Sequence, residues 1–221
     1  MQRTIIRAGA TLLAAALLGT SGCSNEPSGP APGMGFARAR VMDDPSSTDP
    51  SVTAPFLLSR TGTTGAAAFT GSFEGDVSVA VSLDGSTWVD LGSPADVSIT
   101  AQAGAGTDVH GEVQVPVGTY TRVRLTLAGV TARLAAGSSI GGLTLTTETS
   151  IVLGGSDESI VIEAQVPPFT VRADASARTE ILFDLNSESW ITQAAVQAGV
   201  VADAAVESAT RPACRDGERP S

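Results

Sequence analysis

Val77–Leu91 reads VSVAVSLDGSTWVDL. Val77, Val79, Val81 and Leu83 alternate with Ser78, Ala80 and Ser82, the period of a half-buried strand, because successive side chains of a strand point to opposite faces. Asp84-Gly85 then interrupts the run. Glycine reaches positive φ without a Cβ clash, and Asp-Gly between two apolar runs is a strong hairpin signal. A three-residue loop sets valine opposite valine or leucine across the hairpin. It places Trp88 on the other face, with Ala80, Ser82 and Asp90; a one-residue change of loop would reverse that face.

The same period recurs outward from this hairpin. Val97 and Ile99 alternate with Asp96, Ser98 and Thr100; Val113 and Val115 precede Pro116. Val123, Leu125 and Leu127 alternate with Arg122, Arg124 and Thr126, and Leu143 and Leu145 with Thr144 and Thr146. Ile160 and Ile162, then Ile181, Phe183 and Leu185, continue the series. Phe36–Met42 is the first strand expected. Short strands divided by Gly, Pro, Asp and Ser clusters, with no helical period between them, predict a mainly β chain of ten to twelve strands. The expected fold is an antiparallel β-sandwich of Ig-like or jelly-roll type, with a barrel as the alternative. Ser189–Ala209 departs from the pattern. Its alanines and the apolar positions Trp190, Ala194, Val201 and Ala205 predict a short C-terminal helix, broken at Gly199, although Val200-Val201 also suits a strand. Cys214–Ser221 reads as a frayed polar tail.

The N-terminus is organised differently. Arg3 and Arg7 precede the apolar run AGATLLAAALL (Ala8–Leu18), then small residues and Cys23. A positive start, a short apolar stretch and a small-residue site describe a bacterial export signal, and about 11 apolar residues are too few to span a bilayer. Ser24–Gly35, SNEPSGPAPGMG, has the composition of a tether. The expected division is residues 1–22 signal, 23–35 linker, 36–190 sandwich and 191–221 C-terminal segment. Removal of residues 1–22 leaves 11 arginines against 23 acids, a net charge of −12 instead of −10.

Composition excludes several chemistries. All 13 basic residues are arginine, so a lysine P-loop or Schiff base is ruled out. One histidine, His110, cannot build a multi-histidine metal site, and its setting TDVHGEV reads as a solvated loop edge. The acidic balance argues against nucleic acid as partner. No metal site and no cofactor are expected. The acidic loop groups Asp43-Asp44 with Asp49, and Asp157-Glu158, lack EF-hand spacing. No GxSxG, P-loop, GxGxxG or HExxH occurs.

The candidate binding residues are Trp88, Arg122 and Arg124. A tryptophan beside hydroxyls and a carboxylate suits stacking of a sugar ring; equally, it suits packing over its own turn. SLDGSTW is similar to the hairpins of discoidin-type sugar-binding sandwiches and to the Asp-box turn of β-propeller sialidases, with one residue fewer between Asp84 and Gly85. In PVGTYTRVRLTL (Pro116–Leu127), Gly118 makes a turn and Tyr120 is placed to bond back across it, as in a tyrosine corner. Period two puts Tyr120, Arg122 and Arg124 on one face. The arginines there are suited to a ligand carboxylate or phosphate, or to acids on neighbouring strands.

Two resemblances add to this reading. Thr20-Ser21-Gly22-Cys23 resembles the lipobox of bacterial lipoproteins, which implies cleavage before Cys23, lipidation of Cys23 and a membrane anchor. Ser24 after the cysteine implies the outer membrane. Cys214 is then a lone thiol. In addition, ARARVMDDPSS (Ala37–Ser47), PVGTYTRVRL (Pro116–Leu125) and LFDLNSESW (Leu182–Trp190) resemble a family of bacterial lipoproteins sharing an uncharacterised β-sandwich domain, across about residues 36–190. That resemblance implies fold and location and no mechanism. The expected function is a lipid-anchored cell-envelope protein, not an enzyme, that acts as a binding module for carbohydrate or protein. The alternatives are a structural or accessory envelope lipoprotein without a small ligand, and a hydrolase using a carboxylate pair.

Overall fold

In the computed structural model, which describes residues 30–43, 70–100, 106–155, 159–174 and 177–218, the alternating segments are strands. Along the chain they are β1 (Met34–Met42), β2 (Gly71–Ser82), β3 (Trp88–Asp90), β4 (Ala95–Thr100), β5 (Gly106–Pro116), β6 (Gly118–Leu134) and β7 (Ser139–Ile140). They continue with β8 (Leu143–Thr144), β9 (Thr149–Leu153), β10 (Ser159–Val171), β11 (Ala177–Asp184), β12 (Val200–Val201) and β13 (Arg211–Glu218). Two short helices, α1 (Gln193–Ala198) and α2 (Asp203–Ala209), flank β12.

The long pair β2–β6 is the axis of the larger sheet, antiparallel from Gly71↔Leu134 to Ser82↔Arg122. Each member is too long for one partner on its free side. β2 pairs β4 at its start and β3 at its end, while β6 pairs β10 at its start and β9 at its end. The smaller sheet has the order β13-β11-β1-β5. Val77, Val79 and Val81 of β2 and Val123, Leu125 and Leu127 of β6 face a shared core with Ala37, Ala39 and Val41 of β1 and Ile181 and Phe183 of β11. Small residues on β1 let the sheets approach closely: a Cβ on Gly35 would lie 2.3 Å from the Arg172 carbonyl oxygen.

The expected sandwich is the architecture, and its sheets also meet along their edges. Thr107 Oγ1 on β5 donates to the Ser98 carbonyl on β4 at 3.1 Å, and β10 lies against β13. Purely antiparallel pairing does not hold. β1 runs parallel to β11, and β12 runs parallel to β9. Local alternation reports which face is buried and carries no information on strand direction.

The C-terminal region needs correction in two places. The helix expected over Ser189–Ala209 is two helices. Gly199 ends α1 in the left-handed region at φ 70°, its N–H bonded to the Ala195 carbonyl, and Val200-Val201 form β12. Trp190 precedes both helices after a 3₁₀ turn at Ser187–Ser189. It is buried against Phe73, with centroids 5.5 Å apart, and donates from Nε1 to the Leu185 carbonyl at 3.0 Å. The polar tail is not frayed up to Glu218: β13 pairs along all of β11, with Cys214, half-buried, opposite Ile181. Backbone pairing to β11 supplies the order that its side chains do not signal. The strand expected from Phe36 begins at Met34.

The ends of the sandwich are distinct. At one lie Met34, the β5–β6 turn, the β2–β3 turn and the end of β10. At the other lie Met42, Asp184, the start of β2 and the end of β6. These are called the tether end and the distal end below.

Candidate functional site

The β2–β3 hairpin has the register expected from its sequence, with Ser82↔Trp88, Val81↔Val89 and Ala80↔Asp90. Its turn is held by two side chains. Ser82, fully buried, donates from Oγ to the Thr87 carbonyl at 2.6 Å and accepts from the Gly85 N–H at 2.8 Å. Asp84 Oδ1 accepts from the N–H groups of Ser86 and Thr87 at 2.8 and 3.1 Å. These bonds, Ser86 first, lower the Asp84 carboxyl to about 2, because they favour its charged form. Gly85 sits at φ +82°, and a Cβ there would lie 2.6 Å from Arg122 Cδ. The absent side chain therefore makes room for Arg122 to run beneath the turn.

Across the outer face of the larger sheet this hairpin sets up two rows. One is Trp88, Ser82, Arg122 and Gln165; the next is Asp90, Ala80, Arg124 and Glu163. Trp88, Arg122 and Arg124 are thus brought together, each half-exposed. They are not equivalent. The Arg124 guanidinium lies 3.9 Å from the Trp88 ring centroid and bonds Glu163 Oε1 through Nε and Nη2 at 2.9 and 2.6 Å. A cation over an indole face is attracted by the ring quadrupole. One face of Trp88 is therefore occupied by Arg124. Arg122 has no acid partner among the described residues and lies against Gly85.

Tyr120 does not share this face. It is buried in the core, stacks on Phe169 with centroids 5.6 Å apart, and donates to the Pro116 carbonyl at 2.7 Å. The expected corner bond is present, while the expected face is not. Tyr120 and Val123 are both core residues three positions apart, which breaks strict alternation. The neighbouring strand is irregular at the same place. β10 takes four steps from Gln165 to Phe169 against two on β6, across Pro167-Pro168, where no N–H is available to the ladder.

His110 is also corrected. It lies on β5 and is buried, 8% exposed, with Nε2 lacking a hydrogen-bond partner. Burial disfavours the charged ring and lowers its pKa. A register shift in the β1–β5 pairing around Ala39↔His110 displaces it from the loop edge. Asp43 is likewise buried; its carboxylate accepts from the Ser187 N–H at 2.8 Å and from the Ser187 hydroxyl, joining β1 to the 3₁₀ turn. Asp44, Asp49, Asp157, Glu158 and Cys23, with the signal and most of the linker, lie outside the described residues.

A groove of about 520 Å³ opens at the distal end, lined by Thr70, Gly71, Ser72, Glu74, Arg133, Ala135 and Glu148. Two carboxylates, Glu74 and Glu148, lie on its lining. Both acids are engaged by one cation: Arg133 lies 2.8 Å from Glu74 and 3.8 Å from Glu148. Neither this groove nor the Glu163 partner of Arg124 is visible in the sequence. Only strand pairing places Arg133 and Arg124 beside these acids, and neither pairing has a local signal. No group of three or more metal-ligating side chains occurs among the described residues. None of the described helices is long and apolar enough to cross a membrane. Comparison of the chain with known protein families, curated proteins and solved structures gives no match.

Proposed function

We propose that the chain is a lipid-anchored protein of the bacterial cell envelope, held in the outer membrane through Cys23, whose sandwich is a non-catalytic binding module for carbohydrate or protein. One observation carries the binding reading: the outer row in which half-exposed Trp88 and Arg122, an arginine without an acid partner among the described residues, lie on either side of Ser82. A guanidinium with unused donors is a ready partner for a carboxylate or a hydroxyl-rich ligand. The N-terminal signal and the resemblance of Thr20–Cys23 to a lipobox support the anchoring.

The test uses the soluble chain 24–221, because β13 belongs to the smaller sheet. A glycan array probed with this chain should give binding that is lost in Arg122→Ala and Trp88→Ala. Absence of binding at millimolar glycan would remove the carbohydrate reading, and capture of an envelope protein sensitive to the same substitutions would establish the protein one. In cells, Cys23→Ser should release the protein from membranes.

A second reading is favoured by the Trp88–Arg124–Glu163 stack. If the tryptophan fastens the hairpin to the sheet, the chain is an accessory envelope lipoprotein without a small ligand. Trp88→Ala would then lower stability and leave every binding assay unchanged.

A further inference from the structure

Four large hydrophobic residues are exposed among the described residues: Leu83 at 54%, Val117 at 41%, Val161 at 42% and Val200 at 40%. Two of them, Leu83 and Val117, lie at the tether end. Leu83 follows β2 and Val117 follows β5; Leu83 Cδ2 lies 3.1 Å from where a Gly118 Cβ would be, and the Leu83 carbonyl accepts from Thr121 Oγ1. Val117 N donates to the Gly33 carbonyl at 2.9 Å, so this apolar tip is bonded to the incoming chain. Val161 lies on the outer face of β10 and Val200 in β12, each away from the tip.

The length of chain before the tip limits what it meets. Seven residue steps separate Cys23 from Pro30, the first described residue. Fully extended they reach at most about 25 Å, and as a coil of Gly-rich stiffness about 15 Å. The nine residues of β1 rise about 30 Å from the tether end to the distal end. Even stretched, the lead is shorter than the domain is tall. A lipid anchor at Cys23 therefore keeps the tether end within about 25 Å of the bilayer surface and prevents the domain from turning its distal end down onto it.

Charge at the tip agrees with contact at headgroup depth. Arg122 lies under the β2–β3 turn and exposed Arg172 follows β10, while Asp84 at the same turn is fully exposed. Two apolar side chains among charges of both signs suit the polar–apolar boundary and not the hydrocarbon interior.

We infer that the tether end rests on the lipid headgroups through Leu83 and Val117, so that the sandwich stands on end with the Asp43–Ser187 end and the Glu74–Arg133–Glu148 groove directed away from the membrane. The inference rests on the lipid anchor proposed above. It adds the partner of the tip, a bilayer surface, and the orientation of the domain.

Two native tryptophans make the test, since Trp88 is one pairing step from the β2–β3 turn and Trp190 follows the 3₁₀ turn at the distal end. Full-length lipidated protein is inserted in phosphatidylethanolamine–phosphatidylglycerol vesicles carrying a nitroxide-headgroup lipid. Emission from Trp88, isolated in Trp190→Phe, should suffer a larger fractional loss than emission from Trp190, isolated in Trp88→Phe. Leu83→Asp with Val117→Asp should reduce that loss while flotation is retained. In the unsubstituted chain the half-exposed Trp88 emits to the red of buried Trp190, so quenching concentrated at the red edge gives the same answer without either substitution. Equal quenching of the two, or greater quenching of Trp190, in protein that floats with its vesicles would overturn the orientation and leave the anchor standing. Flotation of Cys23→Ser as complete as that of the unsubstituted chain would overturn the anchor itself.

Discussion

Tyr120 is the chain's single tyrosine, so its phenol can be followed without interference from another. It is 1% exposed, stacks on Phe169 and donates a 2.7 Å bond to the Pro116 carbonyl. A bond of this length between neutral groups contributes about 0.5–1.5 kcal/mol net. Pro116 is exposed, so its carbonyl can recruit water once the phenol is gone. Tyr120→Phe, which keeps the stacked ring, should therefore cost about 1 kcal/mol. That corresponds to a fall of about 2–4 °C in Tm for a domain of this size. A second readout follows from ionisation. Burial raises the Tyr120 pKa, because it disfavours the phenolate. A group whose folded pKa lies above its unfolded value contributes stability that is complete below the unfolded value, about 10 for tyrosine. That contribution is lost as pH rises through the folded value. Urea unfolding of the wild-type chain should thus weaken above about pH 10 by an increment that Tyr120→Phe lacks. Absorbance of the phenolate should appear together with loss of the β-sheet circular dichroism. A phenolate formed at or below pH 10 in chain that is still folded would refute the reasoning, as would a Tyr120→Phe variant as stable as its parent.

Other consequences can be measured in the same way. Gly85→Ala places a methyl at φ +82° and 2.6 Å from Arg122 Cδ; the left-handed conformation alone should cost about 1–2 kcal/mol, and Gly85→Ala combined with Arg122→Ala should cost less than the sum of the two in urea unfolding. Ending the chain at Thr210 deletes β13 and bares the edge of β11, so cooperative unfolding should disappear; a truncated chain with an unchanged urea midpoint would show that β13 is dispensable. His110 has its pKa lowered by burial, so the unfolded chain takes up a proton first, and stability should fall as pH drops below about 6.5. The ring resonances of this one histidine, followed by NMR, should move to the protonated form at a lower pH in the folded chain than in the urea-unfolded chain. Asp84, held at about 2, should add a separate loss as pH falls below its unfolded value of 3.8.

The readable parts of the fold are those where one residue type has one local consequence. Valines at Val77, Val79 and Val81, an Asp-Gly turn and Val89 suffice for the register that puts Ser82 opposite Trp88. Pro116-x-Gly118-x-Tyr120 announces the corner bond, and Gly199 announces the helix end. Where the outcome depends on a distant partner, the local pattern is silent. Arg211–Glu218 has no alternation, yet it is a strand because β11 offers it a full ladder. His110 reads as a loop residue, and it is buried where the pairing of β1 with β5 shifts register. The candidate site divides in the same way. Trp88 is legible beside Ser82 and Asp90, and Arg122 with Arg124 on one face of β6, but only the β2–β6 pairing joins the two sets, and the difference between the arginines depends on Glu163, which only the β6–β10 register brings within reach.

The parallel pairing of β1 with β11 has a further consequence, for the order in which the molecule can assemble. Arg38 and Glu180, side by side on these strands, are 142 positions apart in the chain. β1, the first of the described strands, sits inside the smaller sheet, between β5 and the much later β11. Contacts so distant in sequence form late and slowly, since the intervening loop must close before they contribute. The hairpin of β2 and β3 has all its parts at hand; the smaller sheet does not, because β11 and β13 both follow β10 in the chain. A chain crossing a membrane N-terminus first would therefore travel with this sheet unmade. Such an order of assembly would suit the exported life proposed for it.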